Sequence, residues 1–124
     1  IWTEKPGIVS FKWELPLMMH HGVHQRGMSL QRLVQLNSAN PARRFGIYPN
    51  KGSLNPGTDA DLVIVDPDLE RVVEHDGNGT CIYEGMKLKG WPVMTVSRGV
   101  VVCENDEVDE AHYGRGLCLT RPGM

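Results

Sequence analysis

Three histidines, His20, His21 and His24, crowd the string HHGVH. Spacings of three and four residues place two imidazoles on one face of a helix, the arrangement a zinc ion needs from neutral ring nitrogens. Against a metal, Gly22 interrupts the string and the glutamate of an HExxH site is absent. Solvated histidines at a helix end are the other reading, because the partial negative charge there suits a ring that can become cationic. A second set of chemical groups lies in NPGTDADLVIVDPD, Asn55 to Asp68. Asp61 and Asp66 stand about 16 Å apart on an extended chain, whereas paired carboxylates that share one scissile bond lie about 5–9.5 Å apart. They are therefore no such pair. Asp59 and Asp61 share a strand face and suit a metal in principle, but no histidine is near them in sequence. Hydrogen bonding to turn and strand-end backbone accounts for them more economically.

Other nucleophiles are as poorly supported. Cys81, Cys103 and Cys118 make an odd number with no CxxC, which fits reduced thiols of a cytoplasmic protein rather than disulfides or a zinc knuckle. Cys103 falls in an expected strand, and neither Cys81 nor Cys118 has a patterned histidine partner. No GxSxG elbow and no phosphate-cradling glycine loop occurs. Trp2, Trp13 and Trp91 are too scattered for a base-stacking platform and are assigned to packing. Asn78-Gly79-Thr80 matches a glycosylation sequon, a pattern short enough to arise by chance. With a net charge of −2 the chain has no basic footprint for nucleic acid. Its apolar runs, such as Leu62 to Val65 and Val100 to Cys103, fall far short of the ~20 residues that cross a bilayer. At 124 residues, 40% hydrophobic and 23% charged, it has the composition of one modest domain. A start on Ile1 rather than Met raises the expectation of a piece of a longer protein.

The elements that must position these groups fall into three zones without repeats. Pro16 opens a helix carrying Leu15, Met18 and Met19, which Gly22 is expected to stop. Ser29 is the cap of a second helix over Leu30, Leu33 and Val34, ending at Ser38-Ala39. Asn40 caps a short third one, with Pro41 at its first position and Gly46 as its stop. Asn55-Pro56-Gly57 predicts a type II turn. Leu62 to Val65, bounded by Asp66-Pro67, predicts a buried strand, and Arg71 to Glu74 another. Met86 to Lys89 and Val93 to Val96 predict two more, and Arg98-Gly99 turns the chain into Val100 to Cys103. From Asn105 the text becomes acidic and then glycine-rich, an expected loosely ordered tail over 105–124.

Several strings together carry a resemblance that spacing alone does not. PGIVSFKWELPLMMHHGV, SLQRLVQLNSANPARRFGIYPNKGSLNPGTDADLVIVDPDLERVV and YEGMKLKGWPVMTVSRGVVV run over about residues 6 to 103. This stretch closely resembles the C-terminal end of the cyclic amidohydrolases, namely dihydropyrimidinases or hydantoinases, dihydroorotases and allantoinases. The resemblance implies an α+β fragment. Residues 1–49 would be the last helices of a metal-dependent (β/α)8 barrel, and 50–104 the C-terminal strands of a small β-sandwich. In such enzymes a metal-bridging hydroxide, usually on two zinc ions, attacks a ring amide while an aspartate shuttles the proton. The family's metal ligands and that aspartate match nothing here, so the resemblance implies no catalytic residue, no metal ligand and no cofactor in this chain. It implies two zinc ions in the intact parent. Pro6 and Gly7 align with a loop whose backbone contacts substrate, although a turn glycine explains Gly7 equally well. Ser10-Phe11-Lys12-Trp13 departs from the dihydroorotase pattern, while YEGMKLKGWPVMT leans toward hydantoinases. The expected partners are the remainder of the barrel, further copies in a homo-oligomer, and a small cyclic amide. A non-catalytic dihydropyrimidinase-like scaffold is the alternative parent, and dihydroorotase or allantoinase the alternative activities. Half a sandwich standing alone leaves an open edge and an uncovered apolar face, so the isolated chain is expected to self-associate.

Overall fold

Helix and strand signals are realised in the order they are written, but packing moves several boundaries. The computed structural model describes residues 10–74, 81–112, 116–117 and 119. Trp2, Pro6, Gly7, the Asn78-Gly79-Thr80 sequon and Cys118 lie outside the described residues. The first helical stretch joins a 3-10 turn (Phe11–Trp13), α1 (Glu14–Leu17) and a π-helical segment (Met18–Gln25). Pro16 sits in the short first turn, as expected of a residue without an N–H. Gly22 does not stop this helix. A glycine inside a helix costs about 1 kcal/mol but does not forbid it, and the stretch closes only at Gly27. Gly27 takes the left-handed φ of 69° and donates its N–H to the Val23 carbonyl at 3.1 Å.

Ser29 caps the second stretch as the sequence predicts, its Oγ accepting the Arg32 N–H at 3.2 Å. The expected break at Ser38-Ala39 is absent. α2 (Leu30–Val34), a π-helical segment (Gln35–Ala39) and α3 (Asn40–Arg44) run on without interruption, and Asn40 has helical angles and no capping bond. Pro41 thus sits in the first turn of α3, but within a continuous helical stretch rather than at the opening of a separate helix. It lacks the N–H an α-turn would use, and the wider π turn just before it accommodates both the missing bond and the ring. Gly46, at φ 71°, ends the helix where the sequence puts the stop.

The strands are fewer and longer than expected. β1 (Leu62–Val72) passes through Asp66-Pro67, and β2 (Lys87–Ser97) passes through Gly90, Trp91 and Pro92. With β3 (Val100–Glu104) and β4 (Glu107–Val108) they form one four-stranded antiparallel sheet in the order β1-β2-β3-β4. Pro67 lies on an edge strand, where proline is commonly tolerated, and Pro92 precedes the β2–β3 ladder, which begins at Met94. The Arg98-Gly99 turn is as predicted, with φ of 49° and 79° at its two central residues, the values a tight two-residue hairpin demands. Asn105 and Asp106 repeat the device with φ of 50° and 69°. The acidic stretch therefore contains a second hairpin, followed by a 3-10 turn at Glu110–His112.

Contacts divide the chain into two units, one of residues 1–27 and 66–91, the other of 28–65 and 92–124. In the first, Trp13, Val73, Leu88 and Trp91 form the core, with Leu88 wholly buried. The two indoles meet edge to face, their centroids 5.9 Å apart, and Trp91 Nε1–H donates to the Leu88 carbonyl at 2.9 Å. Gly90 has φ 94°, and a Cβ there would stand 2.6 Å from Met19 Cβ. In the second unit the buried residues are Leu33, Ala39 and Ala42, small enough for the backbone of Gly52 to lie against Ala42.

Gly90→Ala combines left-handed strain with the Met19 clash and is expected to cost about 2–4 kcal/mol. Gly57, at φ 90° with nothing within 4 Å of an added Cβ, carries strain alone, so Gly57→Ala is expected to cost about 1 kcal/mol. Urea denaturation measures both, and equal costs would mean that the Met19 contact is not made. Leu88→Ala should cost about 2–5 kcal/mol, against under about 0.5 kcal/mol for Phe11→Ala, whose ring is 92% exposed.

Candidate functional site

The aspartates that bracket the β1 apolar run are held by backbone and by one lysine. Asp61 Oδ1 accepts the Arg98 N–H at 2.7 Å, and the neighbouring Gly99 N–H donates to the Ala60 carbonyl at 3.0 Å. Asp61 Oδ2 pairs with the Lys51 ammonium, which lies 2.9 Å from Asp59 Oδ2 as well. The Lys51 hydrogen bond holds the Asp61 carboxyl below the usual carboxylate range, partial burial opposes this, and the Arg98 N–H adds to it. The same bonds from Asp61 and Asp59 raise Lys51. Asp66 Oδ1 turns back on its own strand and accepts the N–H groups of Asp68 at 2.9 Å and Leu69 at 3.2 Å. These carboxylates are structural fastenings. The pair Asp59 and Asp61, which suits a metal on paper, is answered by a lysine.

Lys51 and Asp59 also stand at the rim of a concavity of about 590 Å³. Val100, Val102 and Val108 give it aliphatic walls, and His112 and Asp109, 3.3 Å apart, line it as well. Cys103 borders it, and Cys81 and Cys103 are both free thiols.

His20 and His21 lie within the helical stretch and are half-buried, whereas His24 stands exposed in its last turn, as a solvated helix-end histidine would, and each ring is engaged. His20 Nδ1 accepts the Lys89 N–H at 3.1 Å. A neutral imidazole carries one N–H, so the His20 proton sits on Nε2, and the Gln25 side-chain amide 2.9 Å away must turn its oxygen to accept it, leaving its nitrogen to donate to His21 Nδ1. The same amide lies 2.8 Å from His21 Nδ1, and the two rings meet edge to face at 4.8 Å. His24 Nε2 donates to the Pro67 carbonyl at 2.9 Å. Among the described residues no three His, Cys, Asp or Glu side chains gather as a metal site requires. The described residues therefore do not fit the metal centre of a cyclic amidohydrolase. Lys51 and Gln25 were not legible as partners. Lys51 is ten residues from Asp61 across a loop, and Gln25 reaches His20 only because the π-helical turn brings residues five apart together.

Asp61→Asn keeps an acceptor for the Arg98 N–H but loses the ion pair, whereas Asp61→Ala loses both. The alanine variant should be the less stable by about 1 kcal/mol, a hydrogen bond discounted for a side chain 35% exposed. Because the Asp61 pKa is depressed on folding, its contribution is complete above about pH 4, the unfolded value, and is lost as pH falls through the folded one. Lys51 runs the other way, its contribution lost only as pH rises through its raised value. Denaturation midpoints from pH 2 to 7 should fall steeply below pH 4 in the wild type and less so in Asp61→Asn.

The pattern of the Amidohydrolase family matches residues 6–102. L-hydantoinase of Paenarthrobacter aurescens is 39% identical over 125 residues, which cover 98% of this chain and 27% of that protein. D-hydantoinase of Ralstonia pickettii is 39% identical over 106 residues, covering 82% and 23% respectively. Among solved structures, L-hydantoinase (dihydropyrimidinase) from Arthrobacter aurescens superposes with a TM-score of 0.72 at 43% identity over 76% of this chain and 22% of its own. D-hydantoinase (dihydropyrimidinase) from Thermus sp. gives 0.78 at 28% identity over 85% and 24%. The chain thus spans about a quarter of the length of these relatives. A family pattern that runs from before the first described helix to β3, joined to relatives that agree along nearly the whole sequence, makes this chain a member of the amidohydrolase family.

Proposed function

We propose that this chain is the C-terminal segment of a metal-dependent cyclic amidohydrolase of the hydantoinase and dihydropyrimidinase type. Residues 1–49 form the last helical part of its barrel and 50–104 the C-terminal strands of its small β-sandwich. The observation that supports the reading is the near end-to-end match to hydantoinases about four times as long. In the intact enzyme water adds across a ring amide, so that the C–N bond breaks, the carbonyl carbon becomes a carboxylate and the nitrogen an amine. The metal centre and the proton-transferring group of that reaction belong to the remainder of the protein. This chain contributes shape. Lys51, Asp59 and Asp61 fix the Arg98-Gly99 hairpin, the two tryptophans fix the helix against β2, and Pro6-Gly7 contributes backbone to the substrate loop.

A chimera tests this: the segment of the Paenarthrobacter aurescens L-hydantoinase that matches this chain is replaced by it. The chimera should bind zinc and open a substituted hydantoin, with the loss of ring absorbance reporting the rate, while the 124-residue chain alone should do neither. Ring opening by the isolated chain, or a folded, zinc-loaded chimera without activity, would overturn the reading.

A further inference from the structure

The helical histidines have a use that hydantoin chemistry does not require. In the unit of residues 1–27 and 66–91, two of their rings fasten the π-helical segment to the strands: His20 through the Lys89 N–H on β2, His24 through the Pro67 carbonyl on β1. The fastenings differ in their response to protons. An imidazolium donates from both nitrogens and accepts from neither. Protonation leaves the His24 bond intact, since His24 already donates. It destroys the His20 bond, since Nδ1 then presents a hydrogen to the Lys89 N–H. We propose that His20 is an acid-sensitive clamp, closed at neutral pH and released by its own protonation, which frees the π-helical segment from β2 at Lys89.

The surroundings favour release. On its own segment His20 faces His21, whose ring meets it edge to face, and His24, both of which disfavour a further positive charge. On β1 Glu70 favours that charge but is itself paired with Lys87, and Asp68 is paired with Lys89 at 2.8 Å. Burial is the largest influence, and the His20 pKa lies below the ordinary 6.5. A depressed histidine pKa means the clamp's contribution is complete above 6.5 and is lost as pH falls through the folded value. Close packing beside the bond makes the release consequential. Gly90, next to Lys89, has its α-carbon face against Met19, next to His20, so the bond lies beside a close approach of helix and strand that leaves no room for a Cβ.

The test is an NMR titration of the labelled 124-residue chain from pH 7.5 to 5. The His20 ring should titrate below 6.5, and the Lys89 amide should shift with the same midpoint. Exchange of that amide, corrected for its intrinsic pH dependence, should accelerate about five- to tenfold, the loss of one hydrogen bond. In His20→Asn the side-chain oxygen takes the place of Nδ1 and accepts at every pH, so the Lys89 response should vanish. In His24→Gln it should persist. A Lys89 amide indifferent to His20 titration in the wild type would overturn the proposal, and so would an unchanged response in His20→Asn. The wild-type titration decides alone if a variant does not fold.

Discussion

Much of the first unit depends on one contact between two indoles. Trp13 comes from a 3-10 turn and Trp91 from the middle of a long strand, and their edge-to-face packing is the point at which helix and sheet are joined. Such a pair adds about 0.5–1.5 kcal/mol beyond its buried area, and here it adds geometry too. Trp91 can be buried because its ring nitrogen finds the Leu88 carbonyl, and that local bond sets the strand's course between Leu88 and Trp91. Leu88 is then directed inward beside Val73, and Gly90 is left facing Met19, where no side chain would fit. Arg71 lies over the Trp91 ring at 5.8 Å, closing the outer face with a cation whose stem is apolar.

Local chemistry was legible in the sequence wherever a short-range signal is unambiguous. Ser29 caps, Gly46 stops, Asn55-Pro56-Gly57 turns with the Thr58 N–H on the Asn55 carbonyl, and Arg98-Gly99 reverses the chain. Several errors share a cause: the sequence reads Gly22 as a stop, Pro41 as the start of a separate helix and Asp66-Pro67 as the end of a strand, where the structure absorbs all three. Gly22 and Pro41 each lie within or directly after a π-helical turn, a geometry that no propensity scale represents. Pro67 sits on an edge strand and Pro92 just outside the β2–β3 ladder, facts set by sheet order and not by sequence. The Asn105-Asp106 hairpin was hidden by its acidity. Both residues tolerate a left-handed backbone, but in a run of carboxylates they read as solvated tail.

The aspartates of NPGTDADLVIVDPD show how the same residue types serve structure and catalysis. A catalytic carboxylate keeps at least one oxygen available for substrate, metal or proton. Asp61 spends one oxygen on a backbone N–H and the other on Lys51, while Asp66 spends one oxygen, Oδ1, on the amides of Asp68 and Leu69. The commitment of both Asp61 oxygens is visible only in three dimensions, because Arg98 and Lys51 are 37 and ten residues away. The histidines of HHGVH are committed by the same kind of fact. Each histidine of HHGVH is occupied by a neighbour, and the donors of the family's chemistry are not gathered among the described residues.

The passage of β1 through Asp66-Pro67 bears on how this chain behaves in a crowded solution. Leu62 to Val65 is an uncharged, β-branched run on an edge strand, with Val63 and Ile64 each nearly half exposed. Fibril-forming segments need about six or seven such residues in unbroken extension. Here the apolar run is cut at four by Asp66, whose carboxylate accepts the amides of Asp68 and Leu69, and by Pro67, which has no amide hydrogen. The dipeptide acts as a gatekeeper, limiting how far a second strand can zip along the open edge while leaving that edge available for ordered pairing.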